Sequence, residues 1–354
     1  MKLAVTIGTV HQDWEDLKAF AVECERIGIN SLWSAEHQGH DAFTPLAYLA
    51  PLTARIRLGT GVVTLGARSP AAVAMAAMSV ASMSSGRLIL GLGAGSRPTV
   101  EHWHGTQFHS PPQNLRETID IVRLIASGAE AAYSGSVHSL PGPGGSPLRV
   151  EAGANASPFP VYVAALTPKS LGVTGEKADG WVGGMTFMPE IAHTYFDPIA
   201  EGAQRVGRKL ADIDLMAPTF LAFGDVERAL RLWKPVIAGF LARGVGPRRE
   251  NSHVAAYVRA GLGDVCSEIA DRMAAGDQAG AAAAVPDSFV LQTRLVGDDH
   301  MVRDRVRAYR AAGVTTLQVY VSRRPLTGEL PDLARLKALV DDVTAETPAT
   351  DTVH

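Results

Sequence analysis

The sequence predicts an α/β fold, a (β/α)8 barrel with a helical insertion between its seventh and eighth strands. Three observations carry that expectation. Short apolar, β-branched runs alternate with helical patterns along the 354 residues until eight strands are counted, and no second alternation begins. The stretch from Arg55 to Gly95 reads strand, loop, helix, strand, so its two nearly all-apolar strands should be parallel and covered on both faces. Finally, the first strand is followed by GTVHQDW, which lacks the glycine-rich dinucleotide turn that an open doubly wound sheet would place there.

Taken in order, Leu3 to Gly8 is the first strand. Asp13 is an N-cap for a helix to about Ile27, with Leu17, Phe20, Ala21 and Cys24 on one face and Gly28 ending it. Ser31 to Glu36 is the second strand, followed by the loop HQGHDAF and a helix near Pro45 to Thr53. Ile56 to Val63 is the third strand. Pro70 opens a helix over Ala71 to Ser84, and Leu88 to Leu92 is the fourth strand. Glycines 59, 61, 91, 93 and 95 cluster where these two strands end. In a barrel that end carries the ligand, and glycine lets the backbone approach a flat ring or a phosphate.

A polar loop then leads to a helix over Asn114 to Ser127, and Tyr133 to Pro158 is a Gly/Pro/Ser-rich excursion with no core of its own. Val161 to Leu166 (strand five), Pro168 to Lys177, Gly180 to Met185 (strand six), a helix from Pro189 to Val206, and Asp214 to Phe223 (strand seven) resume the pattern. The helical stretch Val226 to Ala284 is longer than one crossover needs. Asp298 to Ala312, Thr315 to Val321 (strand eight) and Pro331 to Ala345 complete the barrel. The expected organisation is one domain over 1–345, with an insertion at about 226–290 and a frayed tail over 346–354.

With 46% apolar and 19% charged residues the chain can bury a large core, and a net charge of −3 with no long basic block argues against nucleic-acid or membrane-surface binding. Cys24 and Cys266 stand alone, so no disulfide framework or cysteine metal site is expected. The start is too briefly apolar for a signal peptide, and Val62 to Met83 contains Arg68 and Pro70, which suits a buried segment rather than a membrane span. A soluble cytoplasmic protein is expected. Met75, Met78 and Met83, near helical spacing, read as core.

The stretches SLWSAEHQGHDAFTPLAYLA, RIRLGTGVVTLGARSPAAVAMAA, SGRLILGLGAG, VEHWHG, FPVYVAALTPKSLGVTGEKADGW, AAAAVPD and RAYRAAGVTTLQVYV together resemble the bacterial luciferase-like superfamily, and within it the branch of oxidoreductases that use the deazaflavin coenzyme F420. The resemblance implies hydride transfer between F420 and a small organic substrate, with FMN-dependent monooxygenases and a non-catalytic flavin-binding barrel as the alternatives. It implies a ring lying over the C-terminal strand ends, a cis peptide at Gly61–Val62 beneath it, and Glu36 and His37 facing ring or substrate as the catalytic pair. Ala94, Gly95, Ser96, Ala164, Ala165, Leu166, Gly183 and Gly184 would contact the cofactor, and the protein would be a homodimer. Sugar-phosphate dehydrogenases of the superfamily carry a catalytic Glu where this chain has Ser96, which argues against that substrate.

By position alone, His37 follows a strand end and could hold or give a proton near neutral pH. Trp103 could stack on a ring or wall the pocket, and His11 and His40 lie on loops after strands where they could shape it. The run Glu101 to His104 offers two histidines with no third ligand at a familiar spacing, so no metal is expected. Arg323 and Arg324, after the eighth strand, could pair with an acidic tail.

Overall fold

The computed structural model describes residues 1–8, 13–36, 38–151, 158–242, 252–321 and 325–346. Eight parallel strands, β1 (Lys2–Ile7), β2 (Ser31–Ser34), β3 (Arg57–Thr60), β4 (Leu88–Gly93), β5 (Val161–Ala164), β6 (Gly180–Val182), β7 (Asp214–Phe223) and β8 (Thr316–Tyr320), pair in sequence order. The β8–β1 ladder closes them into the expected barrel. Between and after the strands run α1 (Trp14–Arg26), α2 (Phe43–Leu49), α3 (Pro70–Met83), α4 (Pro111–Ala126), α5 (Pro168–Lys177) and α6 (His193–Gln204). The insertion holds α7 (Val226–Ala242), α8 (Ser252–Arg259), α9 (Gly263–Ala274), α10 (Gln278–Ala284) and α11 (Asp287–Thr293), and α12 (Asp299–Ala311) and α13 (Leu330–Ala345) flank β8. Among the described residues no helix is long and apolar enough to cross a membrane.

Local chemistry sets the boundaries. The Asp13 carboxylate accepts the backbone N–H groups of Glu15 and Asp16, both at 3.0 Å, and so starts α1. Ser69 caps α3 with Pro70 at its first position. The third strand departs from the expected run: its ladder stops at Thr60, the Gly61–Val62 peptide is cis, and pairing resumes at Val63–Thr64 against Leu92 and Gly93 of β4. A short strand unforeseen in the sequence, Leu295–Gly297, follows α11 and pairs with Leu221–Phe223 at the end of β7.

Side chains fill the barrel interior. Ala4, Trp33, Ile89, Tyr162, Val182 and Met216 form a layer of their own, with Trp33 as its bulk. Gly59 is glycine because of that ring, since a Cβ there would stand 2.5 Å from the Trp33 indole. At the N-terminal face Asp214 binds Lys2 and Tyr162, each at 2.5 Å, and Thr316 at 2.8 Å. Burial opposes ionisation of Asp214, but those partners outweigh it and hold its carboxyl below the usual range. That end is therefore closed by a polar plug.

Helix α3 corrects one expectation. Met78 is buried, but Met75 and Met83 are 65% and 52% exposed. Their side of α3 is not against the barrel. It faces an open apolar groove of about 1000 Å³, walled on the other side by Leu140, Pro141, Leu148 and Val150 of the excursion.

The excursion is held from beneath by Glu117, which is fully buried on α4. Its carboxylate accepts the N–H groups of Ser136 (2.8 Å), Val137 (2.9 Å) and His138 (2.7 Å), the turn of a hairpin formed by Tyr133–Ser134 and Ser139–Leu140. Burial alone would raise its pKa. The hydrogen bonds from Gln113 and the three amides win and lower it from 4.5 to about 2. A depressed carboxyl stabilises the fold above its unfolded pKa and loses that contribution as pH falls through the folded value. Amide protection at Ser136–His138 is therefore expected to fade between pH 4.5 and 2. In Glu117→Gln the same loss should appear at neutral pH, and unchanged exchange rates there would refute the anchor.

Candidate active site

The C-terminal mouth of the barrel combines a flat side and a polar side. On the flat side, β4 contributes Gly91 and Gly93, partnered in register by Tyr162 and Ala164 of β5. A Cβ on Gly91 would lie 2.0 Å from the Thr60 carbonyl oxygen, and one on Gly93 would lie 2.5 Å from Val62 Cγ2. Val62 thus rests across the two glycines, and with Ala164 it makes a low apolar shelf. Ala94, Gly95 and Ser96 continue from its edge, with Gly95 at φ +70°. The Ser96 and Thr99 hydroxyls are 2.8 Å apart, where a π-helical turn over Thr99–Trp103 begins.

Glu36 holds this shelf in place. Its side chain is 6% exposed and forms an ion pair with Arg68, while its other oxygen accepts the Thr64 N–H at 3.0 Å. Arg68 in turn lies over the Phe43 ring and 3.6 Å from Asp41. Both carboxylate oxygens are thereby committed to the segment that follows the cis peptide, which makes Glu36 a positioning residue in this geometry.

On the polar side, ladder register sets Phe220, Tyr320 and Thr6 side by side across β7, β8 and β1. Gln318 stands one pair lower, and its Nε2 donates to Thr6 Oγ1 at 2.7 Å. Burial pushes the pKa of the Tyr320 hydroxyl up to about 12, with neighbouring Thr6 opposing the shift in part. Gln318 Oε1 is buried with no protein partner, so one polar atom of this row is left for a ligand or a water. Phe220 stacks on Tyr320 with ring centroids 5.3 Å apart, and Trp233 of α7 packs behind it at 4.5 Å. Arg294 closes the stack. It is 1% exposed, lies 4.7 Å from the Phe220 centroid, and donates to Met185 O and Thr293 O. Burial lowers its pKa to about 10.

Sequence reasoning pointed to the flat side and missed most of the polar one. Gly61, Val62, Ala94, Gly95, Ser96 and Ala164 gather at the shelf, and Leu166, Gly183 and Gly184 lie next to it at the β5 and β6 ends. Ala165 turns its side chain into the core, and its carbonyl accepts Trp181 Nε1 at 2.8 Å. His40 packs on Trp14, with centroids 5.2 Å apart, at the rim near α1. Trp103 is 61% exposed at the end of its turn. His11, His37, Arg323 and Arg324 lie outside the described residues. Thr6, Gln318 and Tyr320 had one available signal: polar residues alternating inward on otherwise apolar barrel strands. Among the described residues no three His, Cys, Asp or Glu side chains gather as a metal site.

The closed barrel with a side-chain-poor shelf at its C-terminal mouth defines a (β/α)8 protein with an open apolar site at the strand ends, and the comparisons place it in a family. Residues 1–316 match the family model described as luciferase-like monooxygenase. Rv3520c of Mycobacterium tuberculosis, provisionally named a coenzyme F420-dependent oxidoreductase, is 34% identical over 333 residues, spanning 90% of this chain and 94% of that one. The F420-dependent tetrahydromethanopterin reductase of Methanopyrus kandleri superposes with a TM-score of 0.79 at 22% identity, covering 96% of this chain and 98% of its own. The FMN-bound oxygenating constituent of 3,6-diketocamphane monooxygenase from Pseudomonas putida does so at 0.66 and 19%, covering 97% of both. The chain belongs to the luciferase-like monooxygenase family.

Proposed function

We propose that this protein is a cytoplasmic oxidoreductase that binds coenzyme F420 and passes a hydride between it and a small organic substrate. The observation that carries the reading is the shelf. Val62 over Gly91 and Gly93 leaves a flat apolar face without projecting side chains, which suits one face of a tricyclic ring. The 34% identity along nearly the full length of the mycobacterial relative favours the deazaflavin over FMN. When bound, the deazaflavin supplies the carbon that gives or takes the hydride.

The chain's own residues bind, orient and hold protons. Ala94, Gly95 and Ser96, with Ala164, Leu166, Gly183 and Gly184, line the cofactor, and Glu36 with Arg68 fixes the shelf under it. Tyr320 Oη keeps its proton at neutral pH and its ring is held by the Phe220 stack, so it can donate a hydrogen bond to a substrate oxygen. His37 remains the second proton-carrying candidate by its place after β2. Two buried free cysteines fit a reducing compartment. The homodimer that the family resemblance implies completes the reading.

The test is a fluorescence titration of the purified protein with oxidised F420 and, separately, with FMN, on a sample whose mass is read by light scattering. Tighter binding of F420 and a two-chain mass are expected. Preference for FMN moves the protein to the monooxygenase reading, binding of neither ring removes the function, and a one-chain mass removes the dimer.

A further inference from the structure

The helical insertion brings a residue to the mouth that no strand supplies. Helix α8 is fastened over the β6 end by two independent ties: Tyr257 Oη donates to the Thr186 carbonyl at 2.7 Å in a buried contact, and Arg259 donates to the Thr194 carbonyl at 3.0 Å. These ties set His253, one turn earlier on α8, against the barrel. A Cβ built on Gly184 would stand 3.2 Å from His253 Nδ1 and 2.9 Å from Leu166 Cδ2. The imidazole therefore occupies the space that a side chain at position 184 would take. Thr186 Oγ1 lies 3.5 Å from the same Nδ1, and the Phe240 ring stands 5.9 Å behind. His253, Leu166 and Gly184 are all half-buried, so this corner keeps an open side. It adjoins the shelf, because Ala164 and Val182, the last residues of β5 and β6, are register partners.

We propose that His253 is a ligand-contacting residue, donating a hydrogen bond to an oxygen acceptor of the bound cofactor at the β5–β6 corner. Three features favour this over a packing role. Tyr257 and Arg259 tie α8 to the barrel through hydrogen bonds of their own, one turn or more beyond His253. A polar imidazole stands, beside Leu166, in the space that Gly184 leaves without a side chain of its own. The shelf itself is apolar, so a hydrogen bond to the ring or its tail at this corner comes from a side chain at its rim, where His253 stands. This inference rests on the ring-binding reading above.

The experiment repeats the F420 and FMN titrations on wild type, His253→Ala and His253→Gln, and adds the deazaflavin chromophore lacking its phosphate tail. Wild type should bind F420, His253→Ala should bind about tenfold more weakly, and His253→Gln, which keeps a donor, should stay within about threefold. A defect seen also with the tail-less chromophore places the contact on the ring, and one seen only with the full cofactor places it on the tail. Both support the assignment. Wild-type affinity in His253→Ala overturns it and leaves the cofactor reading standing, whereas failure of wild type to bind either ring overturns both. Should His253→Ala fail to fold, the wild-type imidazole signals in an NMR spectrum decide, since they must shift on F420 saturation, and unmoved signals refute the contact.

Discussion

Glu36→Ala is expected to weaken F420 binding by about 100-fold or more while leaving the barrel folded. The carboxylate sits at 6% exposure with one oxygen on Arg68 and the other on the Thr64 N–H. Removing it leaves the partly buried Arg68 guanidinium with only the longer 3.6 Å contact to Asp41 and strands the Thr64 amide on the segment that carries Val62. Breaking a buried ion pair on one side costs about 3–5 kcal/mol, and here that cost falls on the geometry of the shelf. Glu36→Gln keeps an acceptor for Thr64 and loses only the charge, so its defect should be several-fold smaller. Titration of the two variants distinguishes this from a direct chemical role. A residue that acts only on substrate would leave cofactor affinity untouched in both, and that result would sink the anchoring account.

Trp33→Ala should be the most damaging substitution for stability, at about 3–5 kcal/mol. Trp33 is 1% exposed and fills the centre of the barrel between Gly59 and Tyr162, whose ring centroid is 5.5 Å away. The strands around it are hydrogen-bonded into a closed ladder, so they cannot collapse into the cavity. A double-mutant cycle makes the claim specific. Gly59→Ala in the wild type drives a Cβ to 2.5 Å from the indole and should be strongly destabilising. In Trp33→Ala the same change has room and should be nearly neutral. Equal penalties in both backgrounds, measured by thermal unfolding, would show that Gly59 answers to something other than the ring.

The strand–helix alternation made the barrel legible because burial on both faces leaves continuous apolar runs, and caps such as Asp13 and Ser69 mark helix starts locally. The shelf was legible for a related reason. Glycines 91, 93 and 95 at a strand end have no packing use in sequence, so they stand out as a place where something else comes close. The insertion was visible as length without strands.

What remained hidden depends on contacts between distant segments. Nothing in Glu36 itself states that it pairs with Arg68, 32 residues away, and helical spacing alone does not tell Met75 from a core methionine; only the packing of α3 assigns Met78 inward at 8% and Met75 outward at 65%. The Thr6–Gln318 bond joins residues 312 apart and exists because β8 closes on β1. His253 reaches Gly184 because Tyr257 and Arg259 fasten α8 to the barrel. The sequence by itself determined the fold class, the mouth that carries the ligand and the glycine face within it, since each is written in local pattern and backbone need. Only the tertiary structure decided which polar side chains meet there, because closing a barrel brings together residues whose separation along the chain has no bearing on their distance in space.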